Sequence, residues 1–146
     1  MKIKSPAFEE GSLIPPIYTC DGDNINPPLE FVDVPTNAQS LALIVEDPDA
    51  PGSTFTHWLV WNISPLTREI SENTSPEEVI QGLNGAGQAG YLGACPPSGV
   101  HHYHFKLYAL NKKLNVTPNI SREELEEEIE ESVIERAQLV GIYSRQ

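Results

Sequence analysis

The chain has 146 residues, enough for one domain with a substantial core, and its 39% hydrophobic and 21% charged content is that of an ordinary globular protein. A formal net charge of -12 argues against a nucleic-acid partner and against docking on an anionic membrane surface, since both call for clustered lysine and arginine. The acidity is uneven: eight of the 21 acidic residues fall between Glu123 and Glu135, with only Arg122 and Arg136 beside them, so it reads as one solvated helix face.

The opening segment, MKIKSPAFEEG, holds no apolar core of signal-peptide length, and no run approaches the ~20 residues of a membrane span. The expectation is a cytoplasmic protein without stable membrane insertion, with residues 1–146 as a single domain. Cys20 and Cys95 fit no zinc pattern, because neither belongs to a C-x-x-C pair. They read as buried thiols, with a disulfide between them as the alternative. Leu29 to Val34 reads as a short strand. Leu41 to Glu46 is a continuous apolar run ending in an acid, as expected of a strand buried on both faces. His57 to Ile63 is aromatic and β-branched, and reads as the next strand.

After Ser75-Pro76 a weak helix is predicted over Glu77, Glu78, Val79 and Ile80. Gly82 to Gly99 holds six glycines and two prolines in 18 residues, a long loop of the kind that often carries function. Tyr103 to Leu110 alternates and reads as a strand. A clear helix begins at Ser121, where Ser121 and Glu124 have capping-box spacing. Leu125, Ile129, Val133 and Ala137 follow at four-residue steps and predict its apolar stripe. Val140 to Tyr143 reads as a short final strand. Strands first and a late helix give a mainly antiparallel β fold with peripheral helices.

The chemistry concentrates in two segments. In Asp47-Pro48-Asp49-Ala50-Pro51-Gly52, the first reading is a turn: Asp caps it, Pro fixes φ, and Gly allows positive φ. A turn does not explain why carboxylates follow a run as buried as LALIV, because a carboxylate there needs hydrogen-bond partners. His57, opening the next strand, is either a half-buried histidine satisfied by backbone or a partner for Asp47 or Asp49. In His101-His102-Tyr103-His104, extended geometry puts His101 and Tyr103 on one face and His102 and His104 on the other. If the strands are neighbours, Asp47, Asp49, His57, His101 and Tyr103 converge on one cavity with GACPPSG as its rim. Glycine-loop N–H groups, imidazoles and the tyrosine hydroxyl would serve as donors to an anion. No H-x-x-x-H spacing supports a metal, and no G-x-S-x-G elbow supports a serine hydrolase.

These two segments, Asp47-Pro48-Asp49-Ala50-Pro51 with His57-Trp58 and Gly93-Ala94-Cys95-Pro96-Pro97-Ser98-Gly99 with His101-His102-Tyr103, resemble the two signatures of the phosphatidylethanolamine-binding protein family, which includes Raf kinase inhibitor-like proteins. Cys20-Asp21-Gly22, Pro27-Pro28-Leu29 and Leu107-Tyr108-Ala109-Leu110 extend the resemblance over nearly the whole chain, and the Cys95-Pro-Pro wording is similar to its prokaryotic branch. The resemblance implies a large antiparallel sheet packed on a smaller one, with helices at the periphery. It implies a small pocket for phosphate-like anions lined by Asp47, Asp49, His57, His101 and Tyr103, with Gly93, Cys95 and Pro96 in its wall. His102 stands where the animal proteins carry arginine, the loop from Pro51 to His57 is shorter, and no helix follows Tyr143. Kinase regulation therefore does not carry over.

The expected function is binding of a small phosphate-like or zwitterionic ligand, without a cofactor and with no catalytic residue assigned. Two pocket carboxylates favour a monoanion or zwitterion over a dianion, bound more tightly at mildly acidic pH as His57 and His101 gain charge. The alternatives are a hydrolase using Cys95 or a pocket water, an inhibitor of a protease or kinase acting through the same cavity, and an interaction protein whose pocket is vestigial. A protein partner and a homodimer are both compatible with the sequence, and no residue decides either.

Overall fold

The computed structural model describes residues 1–146. Strand β1 (Lys2–Lys4), a 3-10 turn (Pro16–Tyr18), β2 (Leu29–Val32), β3 (Ser40–Asp47), β4 (Phe55–Ile63), β5 (Glu69–Ile70), β6 (Ile80–Gln81), β7 (His101–Leu110), α1 (Arg122–Glu130) and β8 (Val133–Tyr143) follow in chain order. They form a five-stranded sheet, β6-β4-β3-β7-β8, and a three-stranded sheet, β1-β2-β5, with every pairing between these strands antiparallel.

Strand β3 is buried along all eight residues because both of its faces are covered. Leu41, Leu43 and Val45 pack with Trp58, Val60, Phe105 and Leu107, and with Leu29 and Phe31 of the small sheet. Ala42 and Ile44 face the other way and pack with Leu59, Trp61, Leu125 and Ile129 under α1. An isolated nine-residue helix is marginal in water. Burying Leu125 and Ile129, each worth about 1.5–3 kcal/mol, holds it in place. Its cap forms as expected: Glu124 N–H donates to Ser121 Oγ at 3.1 Å, while the Ser121 hydroxyl, rather than its amide, donates to the Glu124 carboxylate.

Two predicted elements differ. The helix ends at Glu130, and Val133 and Ala137 belong to the 11-residue strand β8, which pairs with β7 from His101 to Leu110. A four-residue step is also a multiple of two, so an apolar stripe at that spacing suits a strand as well as a helix. The predicted helix after Pro76 is absent: Glu78 takes a left-handed φ of 59°, and the chain passes into β6 beside Val60 and Trp61.

Cys20 and Cys95 are joined in a disulfide, with Cα atoms 5.4 Å apart, so the buried-thiol reading is replaced by its alternative. The bond ties the segment after the 3-10 turn to the glycine-rich loop, across a sequence separation of 75 residues. No helix is long and apolar enough to cross a membrane. Replacing both cysteines by serine is expected to lower unfolding stability by about 2–4 kcal/mol, read as a lower urea midpoint; an unchanged midpoint would mean the closed bond contributes nothing to stability.

Candidate functional site

Strand β3 delivers the first functional group. Alternation sends Val45 and Asp47 to the same face, towards the small sheet, and Glu46 to the helix face, where Lys106 and Arg122 pair with it. Asp47 is buried and accepts from His101 Nδ1 at 2.7 Å and from the Asp49 N–H at 2.8 Å. Asp47 therefore serves the turn and the histidine at once: one carboxylate oxygen caps the Asp-Pro-Asp turn and the other holds His101.

Strand β4 delivers the second group through an irregularity. Val45 pairs with Trp58 and Glu46 with Thr56, so His57 is an extra residue opposite β3. Such a bulge re-aims a side chain. The His57 ring consequently lies beside Tyr103, with centroids 5.2 Å apart in edge-to-face contact, although Trp58 also faces the inter-sheet core. Strand β7 delivers His101 and Tyr103 together, their rings stacked at 6.4 Å, while His102 faces outward. The two histidine segments are not adjacent strands. They flank β3 on either side and meet over its end.

These groups close on a cavity of about 330 Å³, near the lower end of small-ligand sites. Asp47, His57, His101 and Tyr103 form its polar part, while Phe55, Leu92, Pro51 and the turn through Gly93, Cys95, Pro96 and Pro97 make the wall. A larger groove of about 680 Å³ runs between β1 and β8, but no histidine or tyrosine lines it. Gly93 is required by close approach: a Cβ there would sit 2.4 Å from Asn24 Oδ1 and from the Tyr18 carbonyl oxygen. The glycine-rich loop is tied down here by Leu92 N–H to the His57 carbonyl, Gly93 N–H to Asn24, and the disulfide.

Three expectations need correction. Asp49 does not line the cavity; it accepts from the His102 N–H and ring outside, and these bonds hold its carboxyl below the usual range. His57 is paired with no carboxylate; its Nδ1 lies 2.6 Å from the Leu92 carbonyl oxygen. Burial pushes the His57 pKa down, outweighing the Leu92 carbonyl and Asp47, which favour the cation. It therefore gains charge only at lower pH than an ordinary histidine, which weakens the expected role of a charged His57. The disulfide also removes the Cys95 thiolate that a cysteine hydrolase would use.

Tyr103 Oη is buried without a hydrogen-bond partner. Burial first, then the nearby Asp47 and Asp49 charges, push its pKa well above the tyrosine range, opposed by the neighbouring Cys95 N–H. The hydroxyl thus stays protonated as a donor. Neither His57 nor His101 makes a protein hydrogen bond through Nε2. No group of three His, Cys, Asp or Glu side chains is arranged to hold a metal ion.

Phe55, Leu92 and Asn24 were not among the sequence candidates. Phe55 had a weak signal in its place just before Thr56-His57, whereas Asn24 acts through the backbone of Gly93 and left none.

The whole-chain comparisons agree with one another. Residues 4–144 match the sequence profile of the family described as "Phosphatidylethanolamine-binding protein". A UPF0098 protein of Methanothermobacter thermautotrophicus is 47% identical, the match covering 99% of each chain. One of Pyrococcus horikoshii is 50% identical over 97% of this chain and 75% of its own. Among solved structures, a homologue from Chlamydia trachomatis described as PEBP-like superposes with a TM-score of 0.94 at 41% identity, covering 99% of this chain and 97% of that one. YbcL of E. coli, described as a member of the mammalian PEBP family, superposes with a TM-score of 0.92 at 32% identity, covering 99% and 98%.

Because its folded-state pKa lies below the unfolded value of ~6.5, His57 leaves the folded protein with fewer bound protons than the unfolded chain in that window. The stability tied to neutral His57 is fully present above about pH 6.5 and is lost as pH falls through that value towards the folded pKa. A nitrogen-15 NMR titration of the imidazoles is expected to show His57 charging below the ordinary value of ~6.5, with the hydrogen of its neutral form on Nδ1; charging at or above that value would contradict the assignment.

Proposed function

The chain belongs to the phosphatidylethanolamine-binding protein family, and on that premise we propose that it binds a small oxyanion, such as a phosphorylated head-group-like molecule, in the cavity over the end of β3. One observation carries the reading: Tyr103 offers a buried hydroxyl with no protein partner, in the wall of a largely apolar cavity between two imidazoles with free Nε2 atoms. A buried donor left unmade costs about 1–3 kcal/mol, and a ligand oxygen would recover that loss. Asp47 supports the reading by holding His101 in one orientation.

Binding is favoured over hydrolysis by the groups present. A hydrolase needs an activated nucleophile, and the closed disulfide denies Cys95 that role. Regulation of a protein partner would act through the same cavity mouth, where Pro51 and the Pro96-Pro97 turn form the rim. A ligand-binding role is the simplest use of these groups.

Tyr103→Phe keeps the ring contacts with His57 and His101 and removes only the hydroxyl. Its expected effect is a loss of about 0.5–1.5 kcal/mol in phosphate affinity, up to roughly tenfold, measured by calorimetric titration with folding checked by circular dichroism. Unchanged affinity in a folded variant would take the ligand out of this cavity.

A further inference from the structure

The hydrogen-bonding groups around the cavity are lopsided. Pro51, Pro96 and Pro97 have no N–H to offer. The N–H groups of Cys20, Leu92 and Gly93 are already spent on Ala94, His57 and Asn24. No lysine or arginine lines the space. Of the glycine-loop donors expected from the sequence, the Cys95 N–H is left and points at Tyr103, and Tyr103 Oη is the one side-chain donor left uncommitted in the wall.

His57 sets the opposite requirement. The Leu92 carbonyl can only accept, so the hydrogen on the His57 ring sits on Nδ1. A neutral imidazole has one N–H, and its Nε2 then presents a lone pair. The groups facing this ring are Asp47 from β3, His101 and Tyr103 from β7, Tyr91 from the glycine-rich loop, and Phe55 from its own strand. Asp47, the one carboxylate among them, is engaged by His101 and the Asp49 N–H. An oxyanion without hydrogens would press its own lone pairs against Nε2.

Resting on the oxyanion reading above, we infer that the cavity selects an oxyacid that still carries a proton, a phosphomonoester or phosphonate monoanion, whose P–OH donates to His57 Nε2 while an unprotonated oxygen accepts from Tyr103. Sulfate, sulfonates and simple phosphodiesters have no such hydrogen near neutral pH. They would leave the Nε2 acceptor desolvated and unpaired, the kind of mismatch by which polar sites reject close analogues. Whether His101 is neutral or charged, the demand at His57 stands.

The test is calorimetric titration of the unmodified protein with methyl phosphate, methylphosphonate and sulfate between about pH 6 and pH 8. At about pH 6, where both phosphorus ligands keep much of their second proton, both are expected to bind about tenfold or more tightly than sulfate. The pH at which affinity falls should lie higher for methylphosphonate, which keeps its second proton to higher pH than methyl phosphate. Sulfate binding as tightly as the phosphorus ligands would overturn the inference. So would a single pH midpoint shared by both, because a protein group and not the ligand's proton would then control binding. Failure of all three ligands to bind would overturn the oxyanion reading beneath it.

Discussion

Strand β3 carries Asp47 into the interior on a backbone buried from Ser40 onward, and the surroundings are arranged to satisfy that carboxylate. A buried ion without partners costs several kcal/mol. Here the Asp49 N–H takes one oxygen and His101 Nδ1 the other. The first bond fixes the turn into β4, and the second fixes the ring of the histidine that opens β7. Glu46, one residue earlier, does the same for the opposite face. Its carboxylate takes Lys106 of β7 and Arg122 at the start of α1, tying the helix to the sheet. Two adjacent acids at one strand end thus organise the layers on both sides of the sheet.

With Asp47 occupied by His101, His57 turns to the backbone of the glycine-rich loop. The bulge in β4 aims the ring, and the Leu92 carbonyl holds it. That loop is therefore part of the site's frame, pinned by His57, by Asn24 under Gly93 and by the disulfide. Its proline-rich turn supplies shape and few donors, and most of the chemistry falls to one hydroxyl and two imidazoles.

The strands were legible where the apolar pattern had a single interpretation. Leu41 to Glu46 had the length and composition of a strand covered on both faces, and the alternation of His101, His102, Tyr103 and His104 put His101 and Tyr103 on the cavity side and His102 outside. Where a pattern had two interpretations, local reading chose the wrong one. Val133 and Ala137 satisfied a helical stripe and a strand equally, and only pairing with β7 decides between them. The same limit applied to the site. Asp47, His57, His101, Tyr103, Gly93, Cys95 and Pro96 do surround one cavity, but sequence adjacency could not tell Asp47 from Asp49. It could not show that the Leu92 and Gly93 donors are consumed by the fold, because that depends on contacts such as Gly93 with Asn24, 69 residues apart. The family signatures located the cavity, and the hydrogen-bond partners determine its chemistry.

The central claim is that a ligand oxyanion completes the hydrogen bonding of this cavity. A crystal structure of the protein grown with methylphosphonate tests it most directly. The account predicts phosphonate density over the end of β3, with one oxygen at hydrogen-bond distance from Tyr103 Oη and another from His57 Nε2. Phosphonate bound elsewhere with the cavity unoccupied, or lodged there with His57 Nε2 facing no ligand oxygen, would contradict it.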